Sequence, residues 1–453
     1  MRANTRFPRL VILKGAIFVC AIISQLISVS AAAGPLVGIG AGPIADYTGE
    51  VVFADAMAQS RQWDTTNLDE NGWPRQDASI YVWADASVNF DTSGTYALSF
   101  EGQADVTGAT VAGKSYDATA NITTGTITLP PTNSLLLTFT NTRRNADSAM
   151  NTGVAHVKLM RPITPGSSTF YSANTVFTPQ AKQLYSKFNV VRFMDWLATN
   201  ANPSVSWSDR TKPTWATQSR WNGTIWSSSQ MGASWEYAVQ LCNETGTDMW
   251  INIPAGADDD YITKVAQLIA YGSDGNLPYT AAQASPLSPP LNSGLKVYIE
   301  FSNEVWNTGG PFTPSLTNHT AAQAEVAAGS SPLNFDGATG DWDWAARRSA
   351  KRTVEISNLF RAVFGDGAMM SRIRPVLESQ QGYTGWWLFQ QSRMLEDYYN
   401  NAGLVSNPHP PSYYIYGGAG SAYYGPQNDD PNLTIDSIWS SGTNDVAAWI
   451  PLC

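Results

Sequence analysis

Between about residues 78 and 161 apolar and polar positions alternate in short runs, at 79–83, 95–100, 122–129, 134–139 and 155–160. Gly, Asn, Asp and Pro separate the runs. Period two in β-branched and aromatic residues, broken by turn formers, predicts an antiparallel β-sandwich. From about 175 the pattern changes to alternating helices and strands. Thr178 and Pro179 supply an N-cap and a first-turn proline for a helix running to about Lys187. Further helices are predicted near 235–244, 260–271, 344–364 and 385–399, and strands at 189–194, 248–254, 296–302, 373–377 and 413–416. Strands alternating with helices imply parallel strands joined by right-handed crossovers, hence an α/β fold. No Gly-rich nucleotide fingerprint follows the first strand, so a barrel is preferred to an open sheet.

Composition narrows the partners. Formal net charge is −10 and charged residues make up 14%, which argues against nucleic acid or an anionic membrane surface as partner. The first 33 residues read as a signal peptide. Arg2, Arg6, Arg9 and Lys14 precede an apolar run at 15–29, and Ser30 to Ala33 offer small residues for cleavage before Gly34. The expectation is a secreted protein, extracellular or periplasmic, with no membrane attachment after cleavage near Ala33. Cys20 lies in that segment, leaving Cys242 and Cys453, too few for a disulfide framework. His156, His319 and His409 are scattered, so no metal site and no cofactor is expected.

The most informative stretch is Val297-Tyr-Ile-Glu-Phe-Ser-Asn-Glu-Val-Trp-Asn307. An apolar strand ends by presenting an amide, Asn303, beside a carboxyl, Glu304. A carboxyl at the mouth of a buried parallel strand is placed to give or take a proton. The segment Ile299-Glu-Phe-Ser-Asn303-Glu304 resembles the fourth-strand motif of the (β/α)8-barrel clan of retaining glycoside hydrolases (family-5-like). Phe188-Asn-Val-Val-Arg192 is similar to that clan's second strand. Counting strands from Arg192 puts Ile251 to Pro254 on strand three and Glu304 on strand four, as the resemblance requires.

The resemblance implies double displacement at a sugar carbon, with Glu304 as acid/base, Asn303 on the sugar 2-hydroxyl and Arg192 supporting the nucleophile. Implied substrate-binding residues are Trp306, Trp196, Trp386 and its neighbour Trp387, together with Asn252 on strand three and Tyr416 on strand six. The nucleophile belongs at the end of strand seven, and no such strand with a Glu can be read before Cys453. Glu378, after strand five, is a weak substitute because its family counterpart is not the nucleophile.

The expected organisation is a signal peptide at 1–33, a β-sandwich accessory domain at 34–160 and a (β/α)8-type catalytic barrel at 161–453 that lacks strands seven and eight. The sandwich strands show no aromatic platform, which favours a bracing role. An open barrel edge would promote self-association. Two functional readings follow. One is a secreted retaining glycoside hydrolase acting on a β-linked polysaccharide, inactive in this form if the nucleophile is missing. The other is a non-catalytic carbohydrate-binding or cell-surface protein that uses the same cleft, with a polysaccharide or oligosaccharide as partner in both.

Overall fold

The computed structural model describes residues 36–84, 90–220, 230–276, 279–309, 312–380 and 385–420. The predicted signal segment lies outside these residues, as does a further helix that the sequence predicts near 435–450. Thirteen strands are present among them: β1 Gly38–Gly40, β2 Ala78–Trp83, β3 Gly94–Glu101, β4 Gln103–Thr107, β5 Val111–Asp117, β6 Ile122–Leu129, β7 Leu135–Arg143, β8 Ala155–Met160, β9 Val190–Arg192, β10 Asp248–Ile253, β11 Val297–Phe301, β12 Ile373–Ser379 and β13 Gly417–Gly420. The α-helices are α1 Pro179–Tyr185, α2 Trp235–Thr245, α3 Asp259–Tyr271, α4 Thr313–Ala327, α5 Asp341–Phe364, α6 Trp386–Arg393 and α7 Pro411–Tyr414.

Six strands form one parallel sheet in the order β1-β9-β10-β11-β12-β13. Neighbours in space follow chain order with no reversal, so right-handed crossovers place the helices on one face and the sheet curls into a half-barrel. The strand residues show which face is covered. Val191, Met249, Ile251, Ile253, Val297, Ile299 and Phe301 share one core with Val239 and Leu241 of α2, Val265 and Ile269 of α3, and Ile356 and Phe360 of α5. The alternate residues therefore face the concave side. There Arg192, Trp250, Tyr298 and Arg374 form a row across four strands, each directly opposite the next. Asn252, Glu300 and Val376 form the next row toward the strands' carboxyl ends.

The remaining strands make two antiparallel sheets, β2-β7-β4 and β5-β6-β3-β8. Their alternate apolar residues meet in a second core: Ile80 and Val82, Tyr96 and Phe100, Ile127, Leu137 and Phe139, Val157 and Leu159. The predicted strands of this unit are thus present. β4 and β5 were not anticipated, because sequences such as Lys114-Ser-Tyr-Asp117 are polar and largely exposed and offer no period-two signal.

Three expectations need correction. β1 precedes the antiparallel strands yet pairs with β9, Gly38 opposite Val190 and Gly40 opposite Arg192. The antiparallel unit is therefore inserted between the first and second strands of the parallel sheet, and the boundary expected at 160 does not separate the two. The strand expected at 413–416 is instead the helical turn α7, entered through Pro410 and Pro411, and the sixth parallel strand is β13. No helix is predicted in the sequence between the strand at 296–302 and the helix near 344–364, yet α4 lies there; its Thr, Asn, Gln and Ala residues give little amphipathic contrast.

One helix end carries a clear mutational expectation. α3 closes at Gly272, which has φ +73° and donates its N–H to the carbonyl of Leu268. A Cβ there would stand 1.8 Å from the carbonyl oxygen of Ser288. Gly272→Ala combines left-handed strain with a backbone clash, and an expected loss of about 2 kcal/mol or more is read from the urea midpoint. An unchanged midpoint would contradict this account of the helix end.

Candidate active site: a carboxylate pocket at the strand ends

At the carboxyl ends of β9 to β13 lies a pocket of about 250 Å³ lined by Arg192, Trp250, Glu300, Asn303, Glu304 and Glu378, with Ala419 and Gly420 at its edge. Its deepest group is Glu300, in the otherwise apolar Val-Tyr-Ile-Glu-Phe of β11 and 1% exposed. Four donors converge on this carboxylate. Arg192 gives Nε (3.1 Å) and Nη2 (2.9 and 3.0 Å), Trp250 gives Nε1 (2.8 Å) and Asn252 gives Nδ2 (2.8 Å). The same Arg192 Nη2 donates to Oδ1 of Asn303 (3.0 Å), while Asn303 Nδ2 donates to Oδ1 of Asn200 (2.9 Å). The cation on β9 thus ties a buried anion on β11 to the amide at that strand's end.

The turn after β11 is strained. Ser302 and Glu304 have φ of 61° and 43°, flanking Asn303. Non-glycine residues in the left-handed region persist only where their surroundings over-determine them. Here Asn252 Nδ2 donates to the carbonyl of Ser302 (2.7 Å), and the N–H of Glu304 donates to both carboxyl oxygens of Glu378 (2.8 and 3.0 Å). The Glu304 side chain leads into the pocket, where Asn307 Nδ2 donates to its Oε2 (2.9 Å). This places a carboxyl and a primary amide side by side over a buried ion pair.

Glu378 holds its proton well above the usual carboxylate range. Burial is the main cause and the Glu300 carboxylate the next, while the N–H of Glu304 and the charge of Arg192 oppose them. Protonated, Glu378 shares a hydrogen bond with Glu300. Below the ordinary value of 4.5 the acid is protonated in both folded and unfolded chains, and its contribution is fully present. As pH rises the unfolded chain ionises first, and that contribution is lost progressively up to the folded value. Glu378→Gln retains a donor toward Glu300 and an acceptor for Glu304, but does not titrate. Its melting temperature relative to the parent is expected to climb between pH 4 and 8, with about 1.4 kcal/mol for each tenfold difference in proton affinity. Parallel melting curves across that range would remove Glu378 as a buried neutral acid.

Compared with protein-family models, curated proteins and solved structures, the chain matches none.

Of the residues singled out in the sequence, Glu304, Asn303, Arg192 and Glu378 come together in this pocket. Asn252 is adjacent but fully buried, and it positions Glu300 and Ser302 rather than meeting a ligand. Trp196 is 1% exposed and packs on Phe53 and Phe193, so it belongs to the core and forms no cleft floor. Trp306, Trp387 and Trp386 form an edge-to-face cluster, with ring centroids 6.1 and 6.0 Å apart. Trp387 is buried there, and Trp386 Nε1 donates to Asp343. Tyr416, just before β13, packs its ring against the row below, 6.1 Å from Tyr298 and 4.4 Å beneath the Arg374 guanidinium. Glu300 and Trp250 were missed as site residues. Alternation in Val297–Phe301 carried the signal, since Tyr298 and Glu300 fall on the face opposite Val297, Ile299 and Phe301.

Among the described residues no helix is long and apolar enough to cross a membrane, and no group of His, Cys, Asp and Glu is placed to hold a metal ion.

Proposed function

We propose that the protein is a secreted glycoside hydrolase of the retaining type acting on a β-linked polysaccharide, with Glu304 as its acid/base. In this reading the parallel strands belong to a (β/α)8-type barrel, and the antiparallel strands form a sandwich module inserted after its first strand. The observation that carries the proposal is the Arg192–Asn303 hydrogen bond. It fixes an Asn-Glu pair at the carboxyl end of a parallel strand, where (β/α)8 enzymes place their chemistry. Asn303 retains a second amide N–H for a sugar hydroxyl. Glu304 protonates the departing glycosidic oxygen and then deprotonates the incoming water, as double displacement requires.

A second reading rests on a different observation. Glu300 is engaged by Arg192, and Glu378 is turned to the N–H of Glu304. Among the described pocket residues, neither of these carboxylates is presented as an attacking nucleophile. That favours a cleft that binds carbohydrate without cleaving it. One experiment separates the two. The mature chain is incubated with β-glucan, xylan and mannan, reducing ends are measured, and the first-formed anomer is followed by NMR. Release of β-configured product from a β-linked chain is expected for the hydrolase. Glycan retention in affinity gels that persists in Glu304→Gln, with no sugar released by the parent, would sink the hydrolase proposal and leave the binding one.

A further inference from the structure

A second pocket, of about 290 Å³, lies between α1 and the antiparallel unit. Phe90, Pro162, Ile163 and Leu184 give it a mainly apolar wall. Arg161, the residue after β8, also lines it and is 6% exposed. A guanidinium taken out of water is costly unless a counter-charge or several acceptors meet it. Arg161 Nε donates to the carbonyl of Phe53 (3.2 Å), its guanidinium carbon stands 5.4 Å from the Phe90 ring centre, and the Tyr96 hydroxyl adjoins it. Among the described residues no carboxylate forms an ion pair with it.

The described acids around Arg161 have other donors. Asp55 acts on it through space, and its Oδ1 accepts the N–H groups of Met57 (3.0 Å) and Leu159 (2.8 Å). Glu50 accepts the Tyr185 hydroxyl (2.7 Å), and Asp91 accepts the N–H of Ser93 (2.8 Å). The pocket therefore combines a buried cation that, among the described residues, no carboxylate pairs with and an apolar wall beside it. A planar guanidinium matches the two oxygens of a carboxylate, and the volume suits a ligand of one ring.

We propose that this pocket binds a small monocarboxylic acid with an apolar, ring-sized body, its carboxylate on Arg161 and its ring against Phe90 and Ile163. The ligand would share no lining residue with the carboxylate pocket at the strand ends. The site therefore stands independently of the proposed hydrolase activity.

The test uses benzoate and its neutral isostere benzamide with the mature chain, read by titration calorimetry and thermal shift. Benzoate is expected to bind and to raise the melting temperature. Benzamide and the Arg161→Met variant are each expected to weaken binding about 10- to 100-fold, the worth of a charge-assisted hydrogen bond. Arg161→Met risks misfolding, so Ile163→Trp, at a partly exposed wall position, supplies a second arm. It fills the pocket, keeps Arg161 and is expected to abolish benzoate binding. Equal affinity for benzoate and benzamide, absence of benzoate binding, or unchanged binding in folded Ile163→Trp would each overturn the proposal.

Discussion

Replacing Arg192 with methionine is expected to cost about 3 kcal/mol of folding stability, because it leaves the buried Glu300 carboxylate without its cation. Methionine preserves much of the side-chain volume, so the loss reports charge rather than packing. Trp250 and Asn252 continue to donate to Glu300, which keeps the expected cost at the lower end for a broken buried pair. The neighbouring Glu378 adds repulsion whenever it ionises, so the deficit should widen as pH rises. The decisive control is the double variant Arg192→Met with Glu300→Gln. Removing the orphaned charge should recover most of the loss, since a neutral amide can still accept from Trp250 and Asn252. Urea unfolding of the parent, the two single variants and the double variant gives the coupling energy directly. Additive losses would mean that the pair makes no special contribution to stability.

The second large effect concerns chemistry. Under the proposed hydrolase reading, Glu304→Gln is expected to slow polysaccharide cleavage by about 10²- to 10⁴-fold, the usual range for loss of a general acid/base. Glutamine retains an acceptor for the Asn307 side chain but cannot protonate the glycosidic oxygen. The loss should depend on the leaving group. A dinitrophenyl glycoside departs without protonation, so its first, glycosylating step should be nearly unaffected while water attack on the intermediate slows. A burst of dinitrophenol followed by a slow steady state is the expected signature. Equal rates for Glu304→Gln and the parent on the polysaccharide would rule out Glu304 as the acid/base.

Much of the parallel sheet was legible in the sequence, and the reasons are local. β10 and β11 are short, strongly apolar and bounded by helices with N-cap residues or glycine ends, as at Asp258 and Gly272. Glu304 and Asn303 were found through their position at a strand end and Arg192 through the resemblance of its segment to a second-strand motif, and the structure places all three in one pocket. Less visible was whatever depends on partners distant in the chain. β1 is a three-residue Gly-Ile-Gly segment whose strand character comes from pairing with β9. β13, Gly-Gly-Ala-Gly, is likewise held by its register against β12. Trp196 illustrates the converse limit. An indole beside a catalytic strand invites a ligand role, but only packing against Phe53 and Phe193 reveals that it is sealed inside. The role of Glu378 was also hidden, because its partner is a main-chain N–H across the sheet.

The insertion between β1 and β9 also bears on the order of folding. Val37 and Asn189, joined at the start of this pairing by a hydrogen bond, are 152 positions apart in the chain. A disordered intervening segment would make their meeting an expensive loop closure, although the cost grows only by about 0.6 kcal/mol per doubling of length. The antiparallel unit changes that problem by collapsing on its own core. Once it has folded, its two ends emerge close together, and the search for β1 shrinks from that of a long loop to that of two short tethers. β9 through β12 can assemble from nearer neighbours in the meantime. The first strand of the sheet to leave the ribosome is thus expected to dock late, after the unit inserted behind it has taken shape.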